Sequence, residues 1–284
     1  MGWKKPQASI LNQPDFNMEL TDSNIAILGA GNLGIAIAMG IVEEQLKEAG
    51  QICLTRRNLD HVGYLKAKGF QVSSNNLEAV KQAKMVLLCV QPKQLPRLLE
   101  QINPGLTKDH LLVSVITGVS IAEIKSHLKL EVPVVRAMPN TAIAIGESMT
   151  CICSEDSKDD ALAVQKIFNA LGKTLIIEEK LMQAATVLGA SGIAFFMRYL
   201  RAATQGGVQM GFHSEDAQMI AVQTAKGAAS LILENGQHPE VEIDKVTTPE
   251  GCTIAGLNEM EHQGLSSALI KGLMVSYEKI KNIK

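Results

Sequence analysis

The chain has 284 residues with 27 basic and 29 acidic side chains, a formal net charge of −2. That length suits one large domain or two medium ones, and the near balance of charge argues against the basic face of a nucleic-acid or membrane-surface protein. Hydrophobic residues make up 46% and aromatics 4%, outside the disordered range and better suited to closely packed helices than to a β-sandwich.

Residues 1–23 are polar, contain Pro6 and Pro14 and lack the continuous apolar core of a signal peptide. They read as a flexible tail. The next stretch, Asn24 to Val42, carries no charged side chain and so imitates a membrane span, yet Gly29, Gly31, Gly34 and Gly40 make it a poor lipid-facing helix. No membrane role is expected. From Asn24 to about Glu179, short apolar runs alternate with longer amphipathic ones. Strands are predicted over Ile25–Leu28, Ile52–Thr55, Met85–Val90, Leu111–Val115, Val132–Val135, Met149–Cys153 and Thr174–Ile177. Helices are predicted over Leu33–Glu48, Leu59–Lys68, Ile121–His127 and Asp159–Leu171. This alternation predicts an α/β domain over 24–179, an N-terminal Rossmann-type, doubly wound, mostly parallel sheet covered on both faces.

After about Lys180 the strands cease. Helical spacing runs through Leu181–Leu188, Ile193–Met210, Ala217–Leu233, Ile254–Glu261 and Leu265–Ile280, predicting a C-terminal all-α domain over 180–284. The stretch holding Met219, Ile220, Val222, Leu231, Ile232 and Leu233 is apolar nearly all round. About 100 residues cannot bury such helices alone, so the surplus predicts a second copy of the chain and a dimerisation domain.

Gly29-Ala30-Gly31-Asn32-Leu33-Gly34 is a G-x-G-x-x-G between a predicted strand and a predicted helix. The first Gly permits the tight turn, the second lets the backbone approach a pyrophosphate and the third lets helix pack on strand. The helix start supplies oriented N–H donors. A purely structural turn is the competing reading. At the end of the second strand the chain reads Thr55-Arg56-Arg57-Asn58, with no Asp or Glu from Gln51 to Leu59. An acidic residue there would accept ribose hydroxyls, whereas two guanidinium groups suit a 2′-phosphate, so NADPH is expected over NADH. The bland alternative is that both arginines are solvated.

Further on, Val246-Thr247-Thr248-Pro249-Glu250-Gly251-Cys252-Thr253 leads into a predicted helix. Free backbone N–H groups at such a start suit a small carboxylate, although Thr253 could equally be a helix N-cap. Five cysteines (53, 89, 151, 153 and 252) lack zinc-ligand spacing and read as a reduced, cytoplasmic set, and six scattered histidines predict surface residues and no metal site.

These segments, together with Arg136-Ala137-Met138-Pro139-Asn140-Thr141, Gly189-Ala190-Ser191-Gly192 and Gly207-Val208-Gln209-Met210-Gly211, resemble the pyrroline-5-carboxylate reductase family from about Asn24 to Lys279. The resemblance implies NADPH-dependent reduction of a cyclic imine, 1-pyrroline-5-carboxylate, to L-proline. It also implies an intertwined homodimer, with a decamer of five dimers as a further assembly. It places Leu28, Gly29, Ala30, Gly31, Asn32, Leu33 and Gly34 at the cofactor, with Arg56, Arg57, Asn76, Val90, Gln91, Pro92, Val115, Ile116 and Thr117. It places Val246, Thr248, Gly251, Cys252 and Thr253 at the substrate, with Thr253 hydrogen-bonding the ring nitrogen as the catalytic group. The chain departs from the family at Gln91, where Lys is usual, at Ile193 and Phe195, where Pro and Tyr are usual, and at Glu250, where a second Gly is usual. A sister reductase for another imine or keto acid, or a non-catalytic dinucleotide-binding regulator, shares the same residues.

Overall fold

A computed structural model describes residues 23–281; all but Ser23 of the expected tail lies outside them. The described residues form two compact units. One runs up to Ser191 and takes in the chain end from Ser276, and the other is Gly192–Val275.

The first unit is built on an eight-stranded sheet: β1 (Ile25–Leu28), β2 (Ile52–Thr55), β3 (Gln71–Ser73), β4 (Met85–Leu88), β5 (Leu111–Ser114), β6 (Val134–Met138), β7 (Ser148–Ser154) and β8 (Gly172–Ile176), in the order 3-2-1-4-5-6-7-8. Every pairing is parallel except β6 with β7. Strands β1, β2, β4 and β5 are buried at every position. Alternate residues serve opposite faces: Ile25 and Ile27 join one core, Ala26 and Leu28 the other. The first core is closed by α1 (Asn32–Glu43), through Ile37 and Ile41. The short α2 (Tyr64–Ala67) adds Leu65 to the same core. The opposite core receives Val80 of α3 (Asn76–Lys81), Leu95 and Leu99 of α4 (Leu95–Ile102), and Ile121 and Ile124 of α5 (Ile121–Ser126). Helix α6 (Lys158–Ala170) returns to the first core through Val164 and Phe168. The sheet is thus doubly wound. The single turn α7 (Met182–Ala185) runs into a π-helical stretch, Thr186–Ser191.

Several elements differ from expectation. Helix α1 stops at Glu43 instead of Glu48, because Gln45 turns to φ +57° and its amide bonds back to the Val42 carbonyl. The helix expected over Leu59–Lys68 shrinks to α2; the Asn58 side chain accepts the Asp60 amide at 2.8 Å, a local turn that competes with helix. Strand β3 and helices α3 and α4 are additional to the expected elements. His110 is buried, not a surface residue. Its Nδ1 accepts the Thr107 amide at 2.9 Å, and Nε2 lies 3.1 Å from the Val80 carbonyl, so both ring nitrogens have partners.

The second unit is helical: α8 (Gly192–Gln209), α9 (Ser214–Asn235), α10 (Pro239–Asp244), α11 (Cys252–His262) and most of α12 (Leu265–Lys281). Helices α8 and α9 approach closely at Gly207, where an added Cβ would lie 2.8 Å from the Ala217 Cβ. Of the 22 residues of α9 only Ala217 is buried, while Met219 is 66% and Leu233 74% exposed. One continuous helical stretch among the described residues, Glu179–Gln209, is long and apolar enough by composition to cross a membrane.

Candidate active site

The strand order reverses between β1 and its two neighbours, β2 and β4, and in such sheets ligands bind outside the carboxyl ends of the strands at that point. Four segments singled out from sequence lie at the carboxyl ends of β2, β1, β4 and β5, four neighbouring strands. They are Leu28–Gly34, Thr55–Arg57, Val90–Pro92 and Val115–Thr117.

Close packing decides two of the glycines. Gly29 has φ +113°, and a Cβ on it would lie 2.3 Å from the Cys89 carbonyl oxygen. A Cβ on Gly34 would lie 2.5 Å from the Gly29 carbonyl. At Gly31, by contrast, a Cβ would meet nothing within 4 Å. Gly31 is the N-cap of α1, with no side-chain cap and no acidic residue in the first turn. The first amides of α1 therefore lack intrahelical acceptors, on an open face where a phosphate can approach. The Gly29 and Ala30 amides bond the Thr55 carbonyl at 3.1 and 2.7 Å, so the loop is locked to β2. Leu28 is buried, and its carbonyl accepts the Cys89 amide at 2.9 Å.

Arg56 donates from Nη1 to the Ala30 carbonyl at 3.0 Å, which holds its guanidinium beside the glycine loop. Arg57 is exposed. The Thr55 hydroxyl donates to Asn76 Oδ1 at 2.6 Å, and Asn76 Nδ2 donates to Gln101 at 3.1 Å, so the first residue of α3 is tied to the end of β2. Gln101 was not foreseen; a polar residue near the end of α4 carries no distinguishing signal. Gln91 caps the short turn Pro92–Gln94 through a reciprocal pair with Gln94. Val115 and Ile116 are buried, each in a different core, whereas Thr117 is half-buried with its hydroxyl 4.0 Å from the Met138 sulfur. Glycines that a Cβ would clash with, an uncapped helix start and a cation fixed at the loop fit a dinucleotide with a phosphorylated ribose.

Two sequence blocks meet in the same unit. Asn140 donates from Nδ2 to the Gly189 carbonyl at 3.2 Å and accepts the Ala142 amide at 3.0 Å. The Arg136–Thr141 block is thereby linked to the π-helical stretch. Burial pushes the Cys89 thiol up to about 12, and burial, opposed by Arg136, leaves Cys153 at about 11. Both stay protonated and inert at neutral pH. Among the described residues no group of three or more His, Cys, Asp or Glu could hold a metal ion.

In the helical unit, Thr248-Pro249-Glu250-Gly251 forms a turn closed by the Gly251 amide on the Thr248 carbonyl at 2.9 Å. A Cβ on Gly251 would lie 2.4 Å from the Thr248 hydroxyl, so glycine is required there. Glu250 takes φ +59°, a left-handed conformation that glycine adopts freely and glutamate does not. Gly251 is the N-cap of α11, has no side-chain cap, and no acidic residue lies in the first turn. Thr253 is therefore not the N-cap; it is the second residue of the helix, half-buried, while Cys252, Val246 and Thr248 are exposed.

Residues 179–283 match the family model for pyrroline-5-carboxylate reductase dimerisation, and residues 24–118 that for coenzyme F420-dependent NADP oxidoreductase. The chain is 52% identical over 279 residues to pyrroline-5-carboxylate reductase 1 of Dictyostelium discoideum, covering 94% of this chain and 51% of that protein. It is 50% identical over 275 residues to pyrroline-5-carboxylate reductase 2 of the same organism, covering 91% of this chain and 92% of that protein. The chain belongs to the pyrroline-5-carboxylate reductase family. It spans about half the length of the first of these relatives and nearly all of the second. Among solved structures, a pyrroline-5-carboxylate reductase from Coxiella burnetii matches with a TM-score of 0.83 and 28% identity, over 91% of this chain and 97% of that one. Membership explains the exposed apolar helices, since they lie within the family's self-association region.

Proposed function

We propose that the chain reduces 1-pyrroline-5-carboxylate to L-proline with NADPH, the closing step of proline biosynthesis. The proposed working form is a cytoplasmic homodimer, assembled further as a decamer of five dimers. Residues 24–179 would form the cofactor domain and 180–284 the dimerisation and substrate domain. The observation that carries the reading is the start of α11. Glycine stands at its N-cap, uncapped amides follow, and a half-buried threonine hydroxyl occupies its second position.

Bound NADPH supplies the hydride that adds to the imine carbon. The chain has to orient the imine and keep a proton at its nitrogen. The amides of Cys252 and Thr253 supply donors for the substrate carboxylate, and the helix dipole favours negative charge at that end. With the carboxylate held there, the Thr253 hydroxyl serves the ring nitrogen, stabilising the protonated iminium and fixing the face presented to the hydride. On the cofactor side, the amides of Asn32 and Leu33 serve the pyrophosphate. Arg56 serves the 2′-phosphate, with Arg57 beside it.

Thr253→Val keeps the shape and removes the hydroxyl. Loss of a positioned donor at a reacting centre should lower kcat by about 10²–10³. Because Thr253 does not cap the helix, thermal stability should hardly change. Wild-type turnover in Thr253→Val would remove the residue from the mechanism. A second reading, a reductase for another cyclic imine, is favoured by Glu250, an acidic residue immediately before the N-cap of the helix whose amides are proposed to hold the substrate carboxylate. A panel of cyclic imines of different ring size, each followed by NADPH absorbance, separates the two.

A further inference from the structure

Glu179 opens the short turn Glu179–Leu181 that follows β8. One of its carboxylate oxygens accepts two hydrogen bonds, from the Ile121 backbone amide at 2.7 Å and from Arg136 Nη1 at 2.9 Å. The Arg136 side chain is 5% exposed and that of Glu179 16%. Arg136 Nε is buried with no partner, so this guanidinium is not one member of a fully satisfied polar network. A buried ion pair of this kind adds little net stability, which leaves open what it positions.

The Ile121 amide supplies the answer. Ile121 is the first residue of α5, and the loop ending on it begins at the carboxyl end of β5 with Val115, Ile116 and Thr117. The loop is held at its beginning by the Val115 amide on the Leu88 carbonyl at 3.2 Å. At its far end Ser120 caps the Glu123 amide at 3.0 Å, and Glu179, 58 residues away in sequence, takes the Ile121 amide. Arg136, on neighbouring β6, anchors the carboxylate from the sheet side.

We propose that Glu179 is a positioning residue of the reductase. By holding the Ile121 amide against Arg136 it fixes the Val115–Ser120 loop at the cofactor edge, and it acts on the bound dinucleotide without touching it. This rests on the NADPH-binding reading above, so its test uses cofactor binding and amide exchange as well as turnover. Glu179→Ala removes both hydrogen bonds, whereas Glu179→Gln keeps an acceptor and loses the charge.

The dissociation constant for NADPH, read by its fluorescence on the full-length protein, should rise about tenfold in Glu179→Ala and about threefold in Glu179→Gln. Amide exchange in Val115–Ile121 should accelerate in the same order, while exchange in β1 stays unchanged. A purely structural role would lower the melting temperature and leave both readouts at native values, which would overturn the proposal. Should Glu179→Ala not fold, Glu179→Gln decides alone, and native affinity with native exchange in that variant overturns it. Failure of the native protein to bind NADPH at all would instead contradict the cofactor reading.

Discussion

The two units of the molecule use their apolar residues in opposite ways. In the sheet unit, β1 and β4 bury every side chain and helices cover both faces of the central strands, with only the β8 edge left largely exposed. In the helical unit, Phe196, Met210, Met219 and Leu233 are each more than half exposed. Burying one such side chain stabilises by about 1.5–3 kcal/mol, so several left open represent a large unrealised driving force. The sheet unit keeps most of its apolar side chains inside one chain, whereas the helical unit leaves a surface that the proposed second copy would cover.

The largest effect should come from breaking the helical unit. Replacing Ile220 and Leu231 on α9 together by Asp puts two charges into the apolar surface. Association should be lost, helical content should fall and turnover should vanish, as light scattering, circular dichroism and the reductase assay would show. A folded, active monomer would show that the helical unit needs no second copy.

The sheet unit should respond locally. Arg56→Ala removes both the cation for the 2′-phosphate and the strut to the Ala30 carbonyl. Loss of a charge-assisted contact costs about 1.5–3 kcal/mol, so NADPH affinity should fall by about ten- to a hundredfold, with a smaller loss for NADH. Arg57→Ala, lacking the strut, should cost less. Equal effects of the two changes on calorimetric dissociation constants would remove the special place of Arg56.

Glu250→Gly probes the turn at the start of α11. Relief of the left-handed strain should stabilise by about 1 kcal/mol, partly offset by the greater entropy of glycine in the unfolded chain. Removal of the charge beside the helix start should lower KM for a carboxylate substrate while kcat changes little. An unchanged KM would mean that the Glu250 carboxylate faces away from the substrate.

The smallest effect concerns Glu155, an exposed residue. Partial desolvation and the adjoining carboxylate of Glu179 raise its pKa above the ordinary carboxylate value. The folded state then holds its proton more tightly than the unfolded chain. The stability this contributes is present in full below the ordinary carboxylate range and is lost as pH rises through the raised pKa. Glu155→Gln should therefore melt slightly higher than the native protein at neutral pH, with the difference vanishing at acid pH. The reverse order at neutral pH would show that the two carboxylates do not oppose one another.

What was legible from sequence follows the same division. Strands β1 and β2 fall on their predicted residues because unbroken runs such as Ile25–Leu28 suit a strand covered on both faces. Strand β3, Gln-Val-Ser at the sheet edge, has no run to read. Helix α4 has Leu95, Leu98, Leu99 and Ile102 at helical spacing, but Pro96 hides its start until it is seen to occupy the first turn, where proline is tolerated. The glycine loop is readable because its three glycines stand at a fixed spacing between strand and helix, and two of them, Gly29 and Gly34, answer a packing requirement of the backbone. The bond between Arg136 and Glu179 was not, since the two are 43 residues apart and only the fold brings them together. An arginine inside the apolar run Val132–Met138 was the one visible sign that a buried partner existed. The apolar surplus of α9 is visible in the sequence, and a single chain leaves it exposed.

The glycine loop with Arg56 and the start of α11 with Thr253 are proposed to serve one reaction, reduction of a cyclic imine by NADPH. Steady-state reduction of 1-pyrroline-5-carboxylate by the native oligomer, with NADPH and NADH side by side, tests it most directly. L-proline should form in equimolar amount with the NADPH consumed, with a higher kcat/KM for NADPH than for NADH. Tight NADPH binding with no proline formed would contradict it.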